Sequence, residues 1–505
     1  MTRALRLNDI DDVAIVLDDT IAGDDVLGVA AIDTIGTGHK IALRPIRAGD
    51  VVRKYGQMIG IASRDIAAGE HVHSHNMEVG SGRSGSTSSH AEPTASHTRK
   101  GTTFMGYRRA NGSVGTRNFV GIISSVNCSA TVSRRIAASF AAMEKDWSDE
   151  TSDPGFDGVV AFTHSSGCGM SKTGEGIDTL ERTLAGYARQ PNLSGVLVIG
   201  LGCEVAQVGD LLSRHDLVES HRLRTLVIQD AGGTAAAIEQ GKAMVSELIA
   251  QARTERRTEC PISELTLGLQ CGGSDGWSGV TANPALGVAA DLLIAEGGTA
   301  ILSETPEIYG AEHLLLSRAA NPDVAEALQH RLQWWEAYAE RNNASLDNNP
   351  SPGNKAGGLT TIYEKSLGAV AKAGGTPLMD VRLYAEPAQS RGLVFMDSPG
   401  YDPCSATGQI AAGANILAFT TGRGSAFGSK PSPCLKIASN AVLAARMSDD
   451  IDIDCSPILE GMSVEEAGQR IFDALIDTAS GRPTKSERLG LGDYEFVPWQ
   501  LGAWM

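Results

Sequence analysis

The stretch GVLVIGLGCE, residues 195–204, decides the fold. Its apolar run shows no polar alternation, which reads as a strand buried on both faces, and the glycines after it read as a turn into a helix. The same order recurs in FVGIISS (119–125), GVVAFTHSSGCG (158–169), RTLVIQDAGG (224–233) and LTLGLQCGG (265–273). Later members are GTAILSE (298–304), RGLVFMDSP (391–399) and NILAFTTGRG (415–424), while LLLSRAANPDVAEALQHRLQWWEAYAERNNA reads as helix. Buried strands alternating with amphipathic stretches predict α/β regions with a Rossmann-like parallel sheet, whose ligands sit at the carboxyl ends of the strands.

The first part of the chain follows another grammar. VAIVL (13–17), HKIALRPI (39–46) and VVRKYGQMIGIA (51–62) are short runs broken by glycine turns, with no helix-length periodicity between them. Residues 1–77 are therefore expected to form a small all-β domain. EVGSGRSGSTSSHAEPTASHTRKGTT, so rich in Gly, Ser and Thr that it cannot bury a core, makes 78–104 a flexible tether. The remainder divides into a central α/β domain, 105–260, and a C-terminal α/β domain, 261–505. A multidomain chain also follows from length, since 505 residues exceed the roughly 250–300 at which one core stops growing.

Composition excludes several partners. A formal charge of −17, with no basic run interleaved with aromatics, repels nucleic acid and anionic membranes. No apolar run approaches the ~20 residues of a membrane-spanning helix. The N-terminus has no apolar block followed by a small-residue cleavage site, so a cytoplasmic location is expected. Eight cysteines over this length read as thiols, ligands or buried small residues rather than a disulfide framework.

Chemistry is expected in the loops after the strands. Cys128, Cys168, Cys203 and Cys271 all follow strand runs, and thiolates are soft ligands for iron or zinc. No C-x-x-C spacing is present, so the strongest zinc signature is missing; burial as small apolar residues is the plain alternative. Cys404 reads as loop-borne. CGGSDGWSGVTANP (271–284) sets Ser274, Asp275, Ser278, Thr281 and Asn283 among glycines that let backbone approach a polar ligand closely. NPSPGNKAGGLTT (349–361) presents Lys355 beside Asn354, either as a charge for an anion or, desolvated, as a base. Arg423, between glycines in TTGRGSAFG (420–428), suits bidentate capture of a carboxylate. His164 is the candidate acid or base of the central region, with His313 second, and Glu204, Glu304 and Glu307 are ligands, bases or helix caps. In the β domain, His39 and Lys40 precede GEHVHSHN, where His71, His73 and His75 alternate along one strand face; they read either as a site for a metal or an anionic substrate, or as an accidental His-rich edge strand. No Walker or dinucleotide fingerprint occurs, which disfavours a nicotinamide oxidoreductase.

Taken together these motifs resemble the altronate and galactarate dehydratase family over nearly the whole chain. The matching stretches are GHKIAL, KYGQMIG and AAGEHVHSHN in the β domain, then GYRRANGSVGTRN (106–118), GLGCE, CGGSDGWSGVTANP, NPSPGNKAGGLTT with EKSLG (364–368), and FTTGRGSAFG. The resemblance implies an N-terminal SAF-type β-clip domain, a central domain with homodimer contacts and a C-terminal Rossmann-like domain. It also implies iron-dependent dehydration of an aldonate or aldarate to a 2-keto-3-deoxy acid. GEHVHSHN and GAEHLLLSRA favour altronate over galactarate. The iron is expected as Fe2+ or as an iron–sulfur cluster, with another divalent metal as an alternative, on some of Cys128, Cys168, Cys203 and Cys271. Substrate contacts fall to Arg423, Ser274, Asp275, Thr281, Asn283, Asn354, His39, Lys40, His71 and His73, and proton transfer to Lys355 or His164. The alternatives are galactarate or another sugar acid as substrate, a lyase of the sulfolactate type, and a non-catalytic sugar-acid binding protein.

Overall fold

The computed structural model describes residues 2–80, 101–147 and 155–502. The N-terminal unit is antiparallel: Ala4–Leu5, Val13–Val16, Lys40–Ala42 and His71–Val72 pair in that order, and Val51–Lys54, Gln57–Ala62 and Met77–Glu78 form a second small sheet. Val13–Val16 is buried at every position instead of alternate ones. Ala14 and Val16 pack on Val26, Ile35 and Ile41 within the unit, whereas Ile15 packs on Trp277 and Val280 of the C-terminal region. The β domain is thus docked on the rest of the chain. Of the 78–104 tether, residues 81–100 lie outside the described residues, and Thr103–Arg108 is already a strand.

Two parallel sheets follow. The central one holds β1 (Phe119–Ser124), β2 (Gly158–Phe162), β3 (Leu193–Gly200) and β4 (Leu223–Val227) in the order β2-β1-β3-β4. Every residue of β1 and β3 is buried, as their unbroken apolar runs require. The larger sheet holds β5 (Thr266–Cys271), β6 (Thr299–Ser303), β7 (Leu378–Arg382), β8 (Gly392–Met396), β9 (Ile416–Thr421), β10 (Cys434–Ala438) and β11 (Ile453–Asp454), in the order β7-β8-β6-β5-β9-β10-β11. All its pairings are parallel.

Thr258–Pro261 pairs antiparallel with Thr103–Arg108, so a strand runs across residue 260. Two local expectations are corrected. The long helix is broken into His313–Leu316 and Pro322–Arg341. Asn321 caps the second piece by accepting from the Val324 amide at 3.0 Å, and Pro322 occupies the first turn, where its missing N–H costs nothing. Cys404 is not on a loop but buried in the first turn of the helix Asp402–Ala411.

Helix α1 (Asn127–Ala138) follows β1, and helix α2 (Ile362–Val370) fastens the β domain to the larger sheet. Its Glu364 is wholly buried and accepts from Lys40 Nζ at 2.9 and 3.0 Å and from Lys54 Nζ at 2.9 Å. Lys40 Nζ also donates to the Gly358 carbonyl at 2.6 Å. Burial alone would raise the Glu364 carboxyl, but the two ammoniums hold it far below the ordinary carboxylate range. Burial in turn brings Lys40 down to about 8. Because the folded value of Glu364 is depressed, its contribution to stability is present above the unfolded value of about 4.3 and is lost as pH falls below it. Glu364→Gln leaves two buried ammoniums uncompensated and should cost about 3–5 kcal/mol of folding free energy. Denaturant unfolding at neutral pH checks this, and an unchanged midpoint would refute it.

Candidate active site

Loops from three distant parts of the sequence meet at the carboxyl ends of β5 and β9. After β5 the chain turns through Gly272 and Gly273, and the Gly273 carbonyl accepts the amides of Gly422 at 3.1 Å and Arg423 at 2.8 Å. The Gly276 amide donates to Gly357 at 2.7 Å, and Asn354 Nδ2 donates to Ser274 O at 2.8 Å. Onto this pair of loops the β domain presses its 36–39 turn. A Cβ on Gly276 or Gly358 would stand 2.2 or 2.4 Å from the Gly38 carbonyl oxygen, so the approach requires glycine at both positions.

Most of the polar groups expected to bind substrate are hydrogen-bonded within the fold. Asp275 is buried and accepts from Trp277 N, Ser278 N, Ser278 Oγ, Ser439 Oγ and Asn440 Nδ2, all within 3.1 Å. Thr281 Oγ1 donates to Ser439 O at 2.8 Å and Asn283 Nδ2 to Gly368 O at 2.9 Å. Asn354 closes a capping box with Ser351. Lys40, expected to touch substrate, is sealed in the Glu364 pair.

Arg423, Lys355 and the histidines are different. Arg423 is exposed and Lys355 half-buried, and among the described residues neither cationic head has a partner. A methyl on Gly357 would stand 3.2 Å from Arg423 Cδ, which places the two loops side by side. His73 Nε2 lies 2.9 Å from the Lys355 carbonyl, and His39 Nδ1 lies 3.1 Å from His71 Nε2. The rings of His39, His71 and His73 stand 5.1–5.4 Å apart, with His75 5.5 Å from His71. Burial, the neighbouring imidazoles and Lys40 bring His71 down to about 3, and burial with Lys40 brings His73 to about 4. The His71 and His73 imidazoles are neutral across the physiological range.

Behind this surface lies a buried ionisable cluster. Cys271, at the end of β5, receives Lys372 Nζ at 2.8 Å and donates to Glu307 at 3.4 Å, while Lys365 Nζ donates to Glu307 at 2.7 Å. Ligand atoms of Cys271, Glu304 and Glu307 lie within 4.8 Å of one another. Glu304 is left-handed at φ 75°, fully buried, and neither carboxyl oxygen has a hydrogen-bond partner. Burial and the charge of Glu307 raise Glu304 well above the usual carboxylate value. Glu307 is pushed the other way: against burial, Lys365 and Lys372 keep it low. Burial and Glu307 also lift Asp402 to about 6. A protonated and an ionised carboxyl side by side form a ready acid and base. Glu304 and Glu307 were legible as strand-end acids. Lys365, Lys372 and Asp402 were missed, although two lysines seven residues apart in the apolar segment IYEKSLGAVAK mark one buried helix face.

The structure does not gather the remaining candidates here. Cys128, Cys168 and Cys203 are exposed at the ends of β1, β2 and β3, on the other sheet from buried Cys271, so the four thiols are not one ligand set. His164 is buried beside them, its Nε2 2.9 Å from Ser124 O and its Nδ1 3.0 Å from Ser166 Oγ, and burial brings it down to about 4. His313 lies 3.2 Å from Gln57.

A parallel α/β sheet with acid, base and unpartnered cations gathered at its strand ends defines an enzyme acting on a small polar molecule. Residues 2–80 match the family model described as altronate/galactarate dehydratase SAF domain, residues 106–253 that of the D-galactarate dehydratase/altronate hydrolase second domain, and residues 262–504 that of the D-galactarate/altronate dehydratase C-terminal region. The chain is 36% identical to altronate dehydratase of Bacillus subtilis over 97% of both chains. It is likewise 36% identical to the L-threo-forming galactarate dehydratase of Escherichia coli, over 96% of this chain and 95% of that one. To the beta subunit of (2R)-sulfolactate sulfo-lyase of Chromohalobacter salexigens it is 34% identical, over 80% of this chain and 98% of the subunit. The chain belongs to the altronate/galactarate dehydratase family and is, with it, a hydro-lyase. No helix among the described residues is long and apolar enough to cross a membrane.

The histidines carry a pH signature. His71, His73 and His164 stay neutral in the fold, whereas the unfolded chain protonates them below about 6.5. Between that value and about 4, the unfolded state therefore binds more protons and stability falls as pH falls. Unfolding midpoints measured with chelator present should drop over this range, less steeply in a His71→Asn/His73→Asn variant; equal slopes would contradict the assignment.

Proposed function

We propose that this chain dehydrates a sugar acid of the altronate type to its 2-keto-3-deoxy acid, at the seam between the β domain and the larger sheet. The observation that carries this reading is the meeting of two unpartnered cations, Arg423 and Lys355, with a group of neutral imidazoles, in a chain whose formal charge is −17. Arg423 takes the carboxylate as a fork and Lys355 adds a second positive charge. His39, His71 and His73 face the hydroxyl-bearing carbons. Glu307, ionised, accepts the proton from carbon 2, and Glu304, protonated, gives its proton to the hydroxyl leaving carbon 3. Water departs, and the resulting enol tautomerises to the keto acid. Lys365 and Lys372 hold Glu307 ionised, while burial and the charge of Glu307 keep Glu304 protonated.

Ligand atoms of Cys271, Glu304 and Glu307 lie within 4.8 Å of one another but already face two ammoniums, so a divalent iron at the site is assigned on the strength of the family resemblance. Bound there, it would supply Lewis-acid stabilisation of the enediolate. Altronate is favoured over galactarate by GEHVHSHN and GAEHLLLSRA, and by one unpartnered guanidinium for one carboxylate. A cytoplasmic homodimer belongs to the same reading, on the strength of the family resemblance.

Turnover of altronate, galactarate and sulfolactate, followed as keto acid formed or sulfite released with ferrous iron and reductant, tests the proposal. Altronate should give the highest kcat/KM; no keto acid from any sugar acid would leave a binding protein. Arg423→Ala should raise KM about 10- to 100-fold, the loss of one charge-assisted contact of about 1.5–3 kcal/mol, with kcat little changed; unaltered kinetics would remove Arg423 from the site. Glu304→Gln should lower kcat by about 10²–10⁴ and abolish the alkaline limb of the pH profile, because only the protonated acid is active. A variant that kept both rate and limb would exclude Glu304 as the acid.

A further inference from the structure

The thiol of Cys271 takes no part in the proton transfers proposed above, yet a second nucleophile is pressed against it. Lys372 Nζ stands 2.8 Å from Cys271 Sγ, as close as an ordinary N–H···O hydrogen bond of about 2.7–3.2 Å although sulfur is the larger atom. Cys271 ends β5, and Lys372 lies in the helical turn Ala371–Ala373 that follows α2. Both are buried, at 2% and 1% exposure, so neither head swings out to solvent. The nearest carboxyl does not draw the ammonium away. Glu304 lies 3.9 Å from Lys372 Nζ, and its two oxygens, wholly buried, accept no hydrogen bond. Burial raises the Cys271 thiol to about 12, so its sulfur is protonated at rest; the S–H donates to Glu307 at 3.4 Å, which places a base on that proton. A methyl on Gly272, the next residue, would stand 2.2 Å from Oδ2 of half-buried Asp402. The pair therefore lies one side chain below the surface.

We propose that Cys271 and Lys372 form a site of covalent modification, closed by dioxygen into a sulfur–oxygen–nitrogen bridge between the two side chains. Dioxygen is small and uncharged, as a buried pair requires of its oxidant. One of its atoms is inserted between Sγ and Nζ, and the other leaves as water. The S–H bond, two N–H bonds of the ammonium and the O–O bond break, while S–O and O–N bonds form. Sulfur and nitrogen each give up two electrons, the four that dioxygen accepts. Of the three hydrogens released, two leave in the water and the third passes as a proton to the Glu307 carboxylate. Two equivalents of a dithiol return the thiol, the amine and water, so the modification is reversible, as the first steps of thiol oxidation are. The bridge abolishes the Lys372 ammonium, one of the two charges that keep Glu307 ionised. The base is thereby weakened and turnover falls. That consequence rests on the reaction proposed above; the bridge itself does not.

The test is peptide mapping of the full-length chain, purified without oxygen and divided, with one half held in air-saturated buffer. Both halves are then denatured, their free thiols blocked, and digested with trypsin. Cleavage leaves Cys271 in residues 258–318 and, with Lys372 blocked, residues 366–382 as one piece. After air these two should run as a single joined peptide, heavier than their sum by ~14 Da for one oxygen gained and two hydrogens lost. Fragmentation should place the link on Cys271 and not on Cys260 of the same peptide. The joined peptide should separate under dithiothreitol and be absent from Cys271→Ser and Lys372→Arg chains. Mapping the wild type needs neither variant to fold. Keto acid formation should fall severalfold in proportion to the bridged fraction and return with dithiothreitol. No joined peptide in the aerated wild type, a link to another residue, a link lighter by one oxygen, or one that resists dithiothreitol would each overturn the proposal. A bridged chain with undiminished turnover would keep the modification and remove Lys372 from the proposed reaction, so the two fail separately.

Discussion

The seam on which the site is built depends on one buried carboxylate. Glu364 sits at the centre of the contact between the β domain and the larger sheet, with Lys40 and Lys54 closing on it from one side and Thr360 from the other. An isolated buried charge of either sign is strongly unfavourable, so the three groups are tolerable only together. The arrangement fixes position as well as energy. Lys40 follows His39 directly, and its ammonium also reaches the Gly358 carbonyl, so the imidazoles are brought against Lys355–Gly358 with little freedom to slide. On the other partner, Lys365 is the next residue after Glu364 and faces Glu307. One helix turn thus couples the docking contact to the acid–base cluster.

The fold was largely legible in the chain. Unbroken apolar runs ending in glycine located the strands of both parallel sheets, because strands buried on both faces admit few polar residues. The break before Pro322 was visible in the Asn-Pro pair and was passed over because the periodicity continues on both sides. The site was legible in part. Arg423 and Lys355 stood out since glycine and proline around a lone cation mark a presented side chain. Asp275, Thr281 and Asn283 looked like ligand contacts for the same compositional reason, but a polar loop that must fold tightly needs internal partners, and these side chains bond to the loop's own backbone and to segments around residues 368, 420 and 439. Lys365, Lys372 and Asp402 depend on contacts between β5, β6 and two helices distant in sequence, which no local pattern carries.

Two chemical faces emerge on two sheets. On the larger sheet, two cations without partners among the described residues lie beside neutral imidazoles, and a buried carboxyl pair has its proton affinities driven apart by burial, mutual charge and two ammoniums; the proposed removal of water from a β-hydroxy acid would draw on such a base, acid and positive charge. On the central sheet, three exposed thiols occur where an α/β fold places ligands. The common feature is topological. Parallel strands deliver their following loops to one edge, and both groups of reactive side chains occupy such an edge.

The central claim is that substrate binds across the seam, to segments that are far apart in the sequence. Hydrogen–deuterium exchange of the full-length chain with and without altronate measures this most directly. Protection is predicted to appear together in residues 36–39, 71–75, 352–358 and 422–424. Protection confined to the central-sheet loops around His164 and Cys203, with those four segments unchanged, would contradict it.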